Sequence, residues 1–559
     1  MPHSSPGLAR LAMTVLQPGF DGVSPPGWLR RALAEGLGGA VLFARNLEGP
    51  EQTAGLVAAL RRENPAVVVA VDEEGGAVTR LEAGTGSSWP GNRALGVADD
   101  VERTRLVARE IGRLLASADI TLDYAPVVDV NANPANPVIG VRSFGPDPGL
   151  VARHGAAWIS GLQSAGVAAC AKHFPGHGDT VTDSHHALPT VHASAGLLGE
   201  RDLPPFRAAV EAGVRAVMCG HLLVPALDPV NPATLSRRIL TGLLREELGF
   251  GGVLVTDAIE MGAVAALYPP GEIAVRALAA GADAICVSRS SPGGESVHAL
   301  RDAIVEAVRD GSLAEERLAE AAARVLALAA WHAESTGDTG DTAGPRIPGR
   351  DRHGEPGRPG GRDRGGRHGR PGGRDRGGRH GRDGEGDRRN GAGDRPGDGE
   401  ELGLLAARAA LRVVVAGDRT APGAPVVPGA PPRFARPPLI LDIAPRLNPA
   451  VDPDIPTGLI GAVTELLPGT TGHTITAEAA ELPDIGDLGR PLVLVVYDAA
   501  RHPWVRELLA RAVRLRPDAI VVETGLPGEP CGAVYVATHG ISRASARVVA
   551  QWLAGGRRT

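Results

Sequence analysis

The stretch "KHFPGHGDTVTDSHH" (residues 172–186) gathers four histidines, two aspartates and a lysine into fifteen residues interrupted by Pro175, Gly176 and Gly178. Side chains of these types serve two chemistries, or simply hold a loop. The first chemistry is metal binding: His173 and His177 stand four apart, and Asp179, Asp183 and His185 follow, a set that could suit zinc. Pro175 and Gly176 break any helix that would turn His173 and His177 to one face, and neither H-E-x-x-H nor H-x-H-x-D-H is present, so no metal is expected. The second is a proton relay. Asp183 and His185 stand two apart, and a carboxylate bonded to one ring nitrogen leaves the other nitrogen free to move a proton. A single D-x-H gains weight only beside a nucleophile. Asp257 offers one, because "VLVTDAIEMGA" (253–263) carries an apolar strand straight into a carboxylate that could attack an anomeric carbon. The structural alternative is that Asp257 caps the following helix. Lys172 is the only lysine among 58 Lys plus Arg, which suggests a place where a compact ammonium does what a planar guanidinium cannot.

These residues need elements that bring them together. Strand-like runs are "MTVLQ" (13–17), "AVLF" (40–43), "VVVAVD" (67–72), "TLDYAP" (121–126), "AACAKHF" (168–174), "AVMCGH" (216–221), "VLVTD" (253–257) and "AICVS" (284–288). Helical patterns such as 50–64 and 299–311 lie between or after them. Eight β-then-α units over about 300 residues match a (β/α)₈ barrel of the TIM type. An open doubly wound sheet is the alternative, but no G-x-G-x-x-G follows the first strand. Asp72, Lys172, His173, His221 and Asp257 fall at or near strand C-termini, which in a barrel share one rim.

The remaining chain divides by composition. Residues 334–401 contain two copies of "GGRDRGGRHGR" (360–370 and 372–382) and too little apolar surface to offset ordering, so they read as a disordered low-complexity linker. An RGG-like contact with a polyanion is the other reading of that segment. From 402 to 559, further strand-like runs (439–444, 492–498, 519–524, 533–540) and helical patterns (504–516, 543–555) predict a smaller α/β domain. Residues 1–333 are then the catalytic barrel. A net charge of −6 gives no footprint for nucleic acid. No signal peptide and no membrane span is read, and Cys170, Cys219, Cys286 and Cys531 form no C-x-x-C, so a cytoplasmic location is expected. Oligomeric state is silent.

With "VDEEGGAVTRL" (71–81), "YAPVVDVNANPANPVIGVRSFG" (124–145) and "VMCGHLLVPALDP" (217–229), the strings around His185 and Asp257 resemble glycoside hydrolase family 3, in its bacterial β-N-acetylglucosaminidase branch. The resemblance covers about residues 10–330. It implies a retaining double displacement that releases terminal β-linked N-acetylglucosamine without a cofactor. It implies Asp257 as nucleophile, His185 as general acid/base with Asp183 as its partner, and Asp72, Arg80, Arg142, Lys172 and His173 as substrate contacts. A small saccharide or muropeptide is the expected partner. A β-glucosidase or broad β-hexosaminidase of the same family, or a non-catalytic sugar-binding protein, are the alternatives. Ala77 departs from the pattern, since many relatives carry Arg after the Gly-Gly. The final domain resembles the α/β sandwich that many members carry, whereas the repeat linker is not an expected family feature.

Overall fold

A computed structural model describes residues 6–337, 398–416, 432, 434–445, 450–451, 455–486 and 489–555 of the chain. The repeats at 360–382 lie outside them. The flanking helices Glu315–Thr336 and Asp398–Ala410 extend into the span 334–401 from either side.

Eight short strands alternate with helices in the first part: β1 (Leu16–Pro18), β2 (Gly39–Leu42), β3 (Val68–Val71), β4 (Leu122–Asp123), β5 (Ala168–Phe174), β6 (Ala216–Cys219), β7 (Val253–Thr256) and β8 (Ile285–Val287). Strands β2 to β7 form one curled parallel sheet in chain order, and β1 pairs in parallel with β8. Single parallel bridges, Gly19 to Val41 and Val255 to Ala284, connect that pair to the two ends of the sheet. The run expected as a strand over 13–17 is split, because Met13 and Thr14 finish the helix Pro6–Thr14 and β1 begins at Leu16.

The period of two along each strand sorts side chains into two cores. Val68 and Ala70, Ala168 and Cys170, Ala216 and Met218, and Val253 and Val255 meet in an inner cluster, together with Val325, Leu328 and Ala329 of the helix Glu315–Thr336. The alternate residues Val67, Val69, Ala169, Ala171, Val217 and Leu254 join the surrounding helices in a separate cluster. Apolar residues on both faces explain why these strands read as continuous hydrophobic runs.

The second part holds β9 (Arg412–Val415), β10 (Leu439–Ile443), β11 (Thr471–Ile475), β12 (Leu492–Val496), β13 (Ile520–Glu523) and β14 (Val534–Ala537). Their spatial order is β11-β10-β12-β13-β14-β9, parallel except for the antiparallel edge strand β9. One face packs on the helices Leu459–Leu466 and Arg543–Leu553, the other on Pro503–Leu515. A small apolar cluster joins the two parts: Ala77, Val78 and Val141 meet Val451, Ile455, Tyr497 and Ile541. The Arg543 backbone N–H also donates to the Ser87 carbonyl (2.9 Å).

Candidate active site

The strand register that turns Val68 and Ala70, Ala168 and Cys170, and Val253 and Val255 inward carries Asp72, Lys172 and Asp257 to the inner layer at the strand C-termini. A register shift between Lys172 and Phe174 breaks the alternation on β5, and His173 lines the same space as Lys172. The result is a cavity of about 440 Å³ walled by Asp72, Arg80, Arg142, Lys172, His173, His185 and Asp257, among others. Asp183 lies behind His185 rather than on this wall. His221 is also off the wall, with Nε2 3.0 Å from the Ala258 carbonyl oxygen and Nδ1 2.7 Å from Thr234 Oγ1.

His185 is prepared for proton transfer. Its Nδ1 lies 2.7 Å from Asp183 Oδ1, and the same oxygen accepts the His185 backbone N–H at 2.9 Å. Burial pushes the Asp183 carboxyl up, but the bonds from the ring and backbone of His185 outweigh it and hold it below its ordinary value. An ionised Asp183 fixes the proton on Nδ1 and leaves Nε2 to exchange one. The loop is fastened close to the other carboxylate: Gly262 N donates to His185 O (3.1 Å) and Ala263 N to Ser184 O (3.2 Å). A Cβ at Gly262 would lie 2.6 Å from the His186 carbonyl oxygen, so this junction fits only glycine without a shift.

Asp257 is half-buried and accepts the Ala258 N–H at 2.8 Å. The next helix, Gly262–Ala265, starts with Met261 at its N-cap, so Asp257 does not cap it. Burial raises the Asp257 carboxyl, and the fields of His221, His173 and His185 overcome that effect, leaving it lowered and ionised at neutral pH.

One connected charge network forms the opposite wall. Lys172 Nζ lies 2.7 Å from Asp72 Oδ1 and 2.7 Å from Glu74 Oε1. Arg142 grips Glu74 through two bonds of 2.9 and 2.7 Å. Burial lowers Lys172, but Asp72 and Glu74 more than compensate and keep the ammonium charged; against the same burial, Arg142 and Lys172 hold Glu74 well below its ordinary value. Two of the three Lys172 donors are used, which leaves one for a ligand. Arg80 Nη2 is 3.9 Å from Asp72 Oδ2 and donates to the Ala450 carbonyl (2.8 Å), so a loop of the second part reaches the cavity.

Sequence reasoning missed Glu74, Asp129 and Ala450. Asp129 accepts from His173 Nδ1 (2.7 Å), from the His173 N–H (3.2 Å) and from the His177 N–H (2.7 Å), fixing both ends of the Pro-Gly turn. The available signal was an isolated aspartate in the apolar run "PVVDV". His177 is committed to Thr180 (2.7 Å) and Ser184 (3.2 Å), and burial, with the neighbouring His173 ring, lowers it to about 4, so it is neutral. Asp179 pairs with Arg201 (2.9 Å), and His186 is exposed. Among the described residues, no group of three or more His, Cys, Asp or Glu side chains is placed to hold a metal ion, and no helix is long and apolar enough to cross a membrane. Ala77 is buried in the cluster between the two parts, so this corner is closed by apolar contact.

A curled parallel sheet with a polar cavity at its strand C-termini is an enzyme architecture, and the ionised carboxylate and carboxylate-backed imidazole that share this cavity are suited to nucleophilic attack and proton transfer. The sequence model of the glycosyl hydrolase family 3 N-terminal domain matches residues 30–328, and the chain belongs to that family; it is a glycoside hydrolase. It is 34% identical over 347 residues to β-hexosaminidase A of Pseudoalteromonas piscicida, covering 58% of this chain and 56% of that protein. It is 40% identical over 244 residues to a β-hexosaminidase of Thiobacillus denitrificans, covering 42% of this chain and 67% of that protein. A family 3 β-N-acetylglucosaminidase structure from Paenibacillus sp. is similar along nearly the whole chain: TM-score 0.81, 32% identity, 98% of this chain and 97% of that one.

Proposed function

We propose that this glycoside hydrolase is a retaining exo-β-N-acetylglucosaminidase working by double displacement. The observation that carries the reading is one cavity bordered by both Asp257 and an Asp183-backed His185. In the first step Asp257 attacks C1 while His185, protonated, passes its Nε2 proton to the leaving oxygen. The C1–O bond breaks and a glycosyl ester on Asp257 forms. In the second step neutral His185 takes a proton from water, the oxygen of that water attacks C1, and Asp257 leaves as carboxylate. An imidazole in this role adds no second anion beside Asp257, and its ordinary pKa near neutrality suits both directions of transfer. The substrate contacts proposed are Asp72 as acceptor, and Lys172, Arg142, His173 and Arg80 as donors to hydroxyl and amide oxygens.

The β-hexosaminidase relatives favour N-acetylglucosamine as the sugar. For the leaving group we propose an acidic, muramic-acid-containing fragment of peptidoglycan. Arg45 and Arg289 border the same cavity, and the Arg289 side chain has no carboxylate partner among the described residues. Cytoplasmic recycling is the setting proposed, in keeping with four free cysteines. The test is a paired assay on aryl β-N-acetylglucosaminide and aryl β-glucoside. The reading expects strong preference for the former; preference for the glucoside would overturn the assignment in favour of a β-glucosidase, and turnover of neither would leave a sugar-binding protein.

A further inference from the structure

Three cationic or polar side chains meet at the seam between the two sheets, away from the sugar cavity. His539 lies two residues beyond β14, whose last residue, Ala537, pairs with Arg412 at the start of β9. Arg412 Nη2 crosses the seam to the Val97 carbonyl (2.9 Å) in the helix Asn92–Ala98. Arg93 sits one turn earlier than Val97 on that helix and therefore on the same face. Gly540, next to His539, and Asn92, next to Arg93, line one small cavity. The chain path thus brings Arg93, Arg412 and His539 to one place.

Their partners are conspicuously uncharged. Arg93 Nη1 donates to Phe144 O (3.3 Å), and Arg412 Nη1 to Ala409 O (2.7 Å) and Leu411 O (3.1 Å). Among the described residues no carboxylate pairs with either guanidinium. Arg93 Nε is buried without a hydrogen bond, and so are both ring nitrogens of His539, which is 5% exposed. The His539 backbone is held at φ 59°, a left-handed conformation that favours glycine or asparagine. Burial lowers both arginines, and burial together with their two charges pushes His539 down to about 3. Cations drawn partly out of water without a counter-charge and buried donors without acceptors are both costly. Arg93 and Arg412 are themselves only partly buried.

We propose that Arg93, Arg412 and His539 form a binding site for a small tetrahedral oxyanion of the phosphate type, which clamps the two parts of the chain together. Donors arriving from three separate elements suit an anion with acceptor oxygens on several sides. The site is independent of the sugar-cleaving chemistry: none of the three residues borders the catalytic cavity.

The experiment titrates inorganic phosphate into the full chain, by isothermal calorimetry and by thermal melting, with chloride at matched ionic strength as control. Phosphate is expected to raise Tm saturably while chloride does not. Arg93→Gln and His539→Asn, the latter compatible with the left-handed backbone, are each expected to weaken phosphate binding by about tenfold or more and to leave aryl-glycoside hydrolysis unchanged. Two variants on opposite sides of the seam keep the test decisive if one fails to fold. A phosphate effect no larger than that of chloride overturns the proposal. So does a phosphate effect that persists undiminished in a folded variant.

Discussion

Asp257 and His185 carry opposite demands, and their surroundings meet them separately. The histidine-rich side keeps Asp257 ionised, while Asp183 fixes the imidazole tautomer. Replacing Asp257 by Ala is expected to lower kcat by about 10⁴-fold or more, as for other covalent nucleophiles. His185→Ala is expected to cost about 10²–10⁴-fold on substrates with poor leaving groups and far less on activated aryl glycosides. Equal losses on both substrate classes would show that His185 does not protonate the leaving group. The residues with chemistry in a compact string were legible in the sequence, because Lys172, His173, Asp183 and His185 lie within fourteen positions. Glu74 was not legible: its partners Arg142 and Lys172 stand 68 and 98 positions away, and only folding makes it the centre of a network. Titration has a sign at this scale too. Glu523 is buried near Asp498 and pushed up to about 8 from an ordinary 4.5, so the folded chain binds more protons than the unfolded one across that window. Its contribution is full below 4.5 and is lost as pH rises through about 8. Glu74, held low against burial by Arg142 and Lys172, behaves oppositely: its contribution is present above 4.5 and lost as pH falls. Glu523→Gln should therefore flatten the decline of Tm between pH 4.5 and about 8 while sparing the acid limb, a difference that thermal melts across pH would reveal.

At the scale of elements, the two backbone bonds from Gly262 and Ala263 decide whether the His185 loop lies over the cavity. Gly262→Ala places a methyl 2.6 Å from the His186 carbonyl oxygen and must displace the start of the helix Gly262–Ala265 or the loop. Misplacing a catalytic group by about 1 Å costs about 100-fold, so this variant is expected to lose kcat by roughly that factor with a native circular dichroism spectrum. Unchanged kcat would mean the loop is positioned by other contacts. The strands of the first part were readable because they are apolar on both faces. Elements with weaker patterns were not. β11 exposes most of Thr471–Ile475, burying only Ile475, and a polar edge strand of this kind gives no run to detect. The first expected strand was misjudged over 13–14, where Leu8, Ala12 and Met13 follow helical spacing into the same outer core.

For the whole molecule, the second sheet is joined to the first by apolar packing and by a cavity contact, and neither was visible in the sequence. Arg80 and Ala450 are 370 positions apart, and the contact is made by the Ala450 backbone carbonyl, which no side chain type advertises in the sequence. Ile541 is 2% exposed within the joining cluster, so Ile541→Ala is expected to destabilise the chain by about 2–5 kcal/mol. A denaturant melt would measure it, and a loss under about 0.5 kcal/mol, the range of an ordinary surface change, would show that the cluster contributes little. The central claim is that one fold places a nucleophilic carboxylate and its proton donor around a single sugar ring. Its most direct test is to trap the enzyme with a fluorinated N-acetylglucosamine analogue that carries a good leaving group, then map the adduct by peptide mass spectrometry. The account predicts one sugar per chain, bound to Asp257 and absent from the Asp257→Ala variant; a label on any other residue, or turnover with inversion and no adduct, would contradict it.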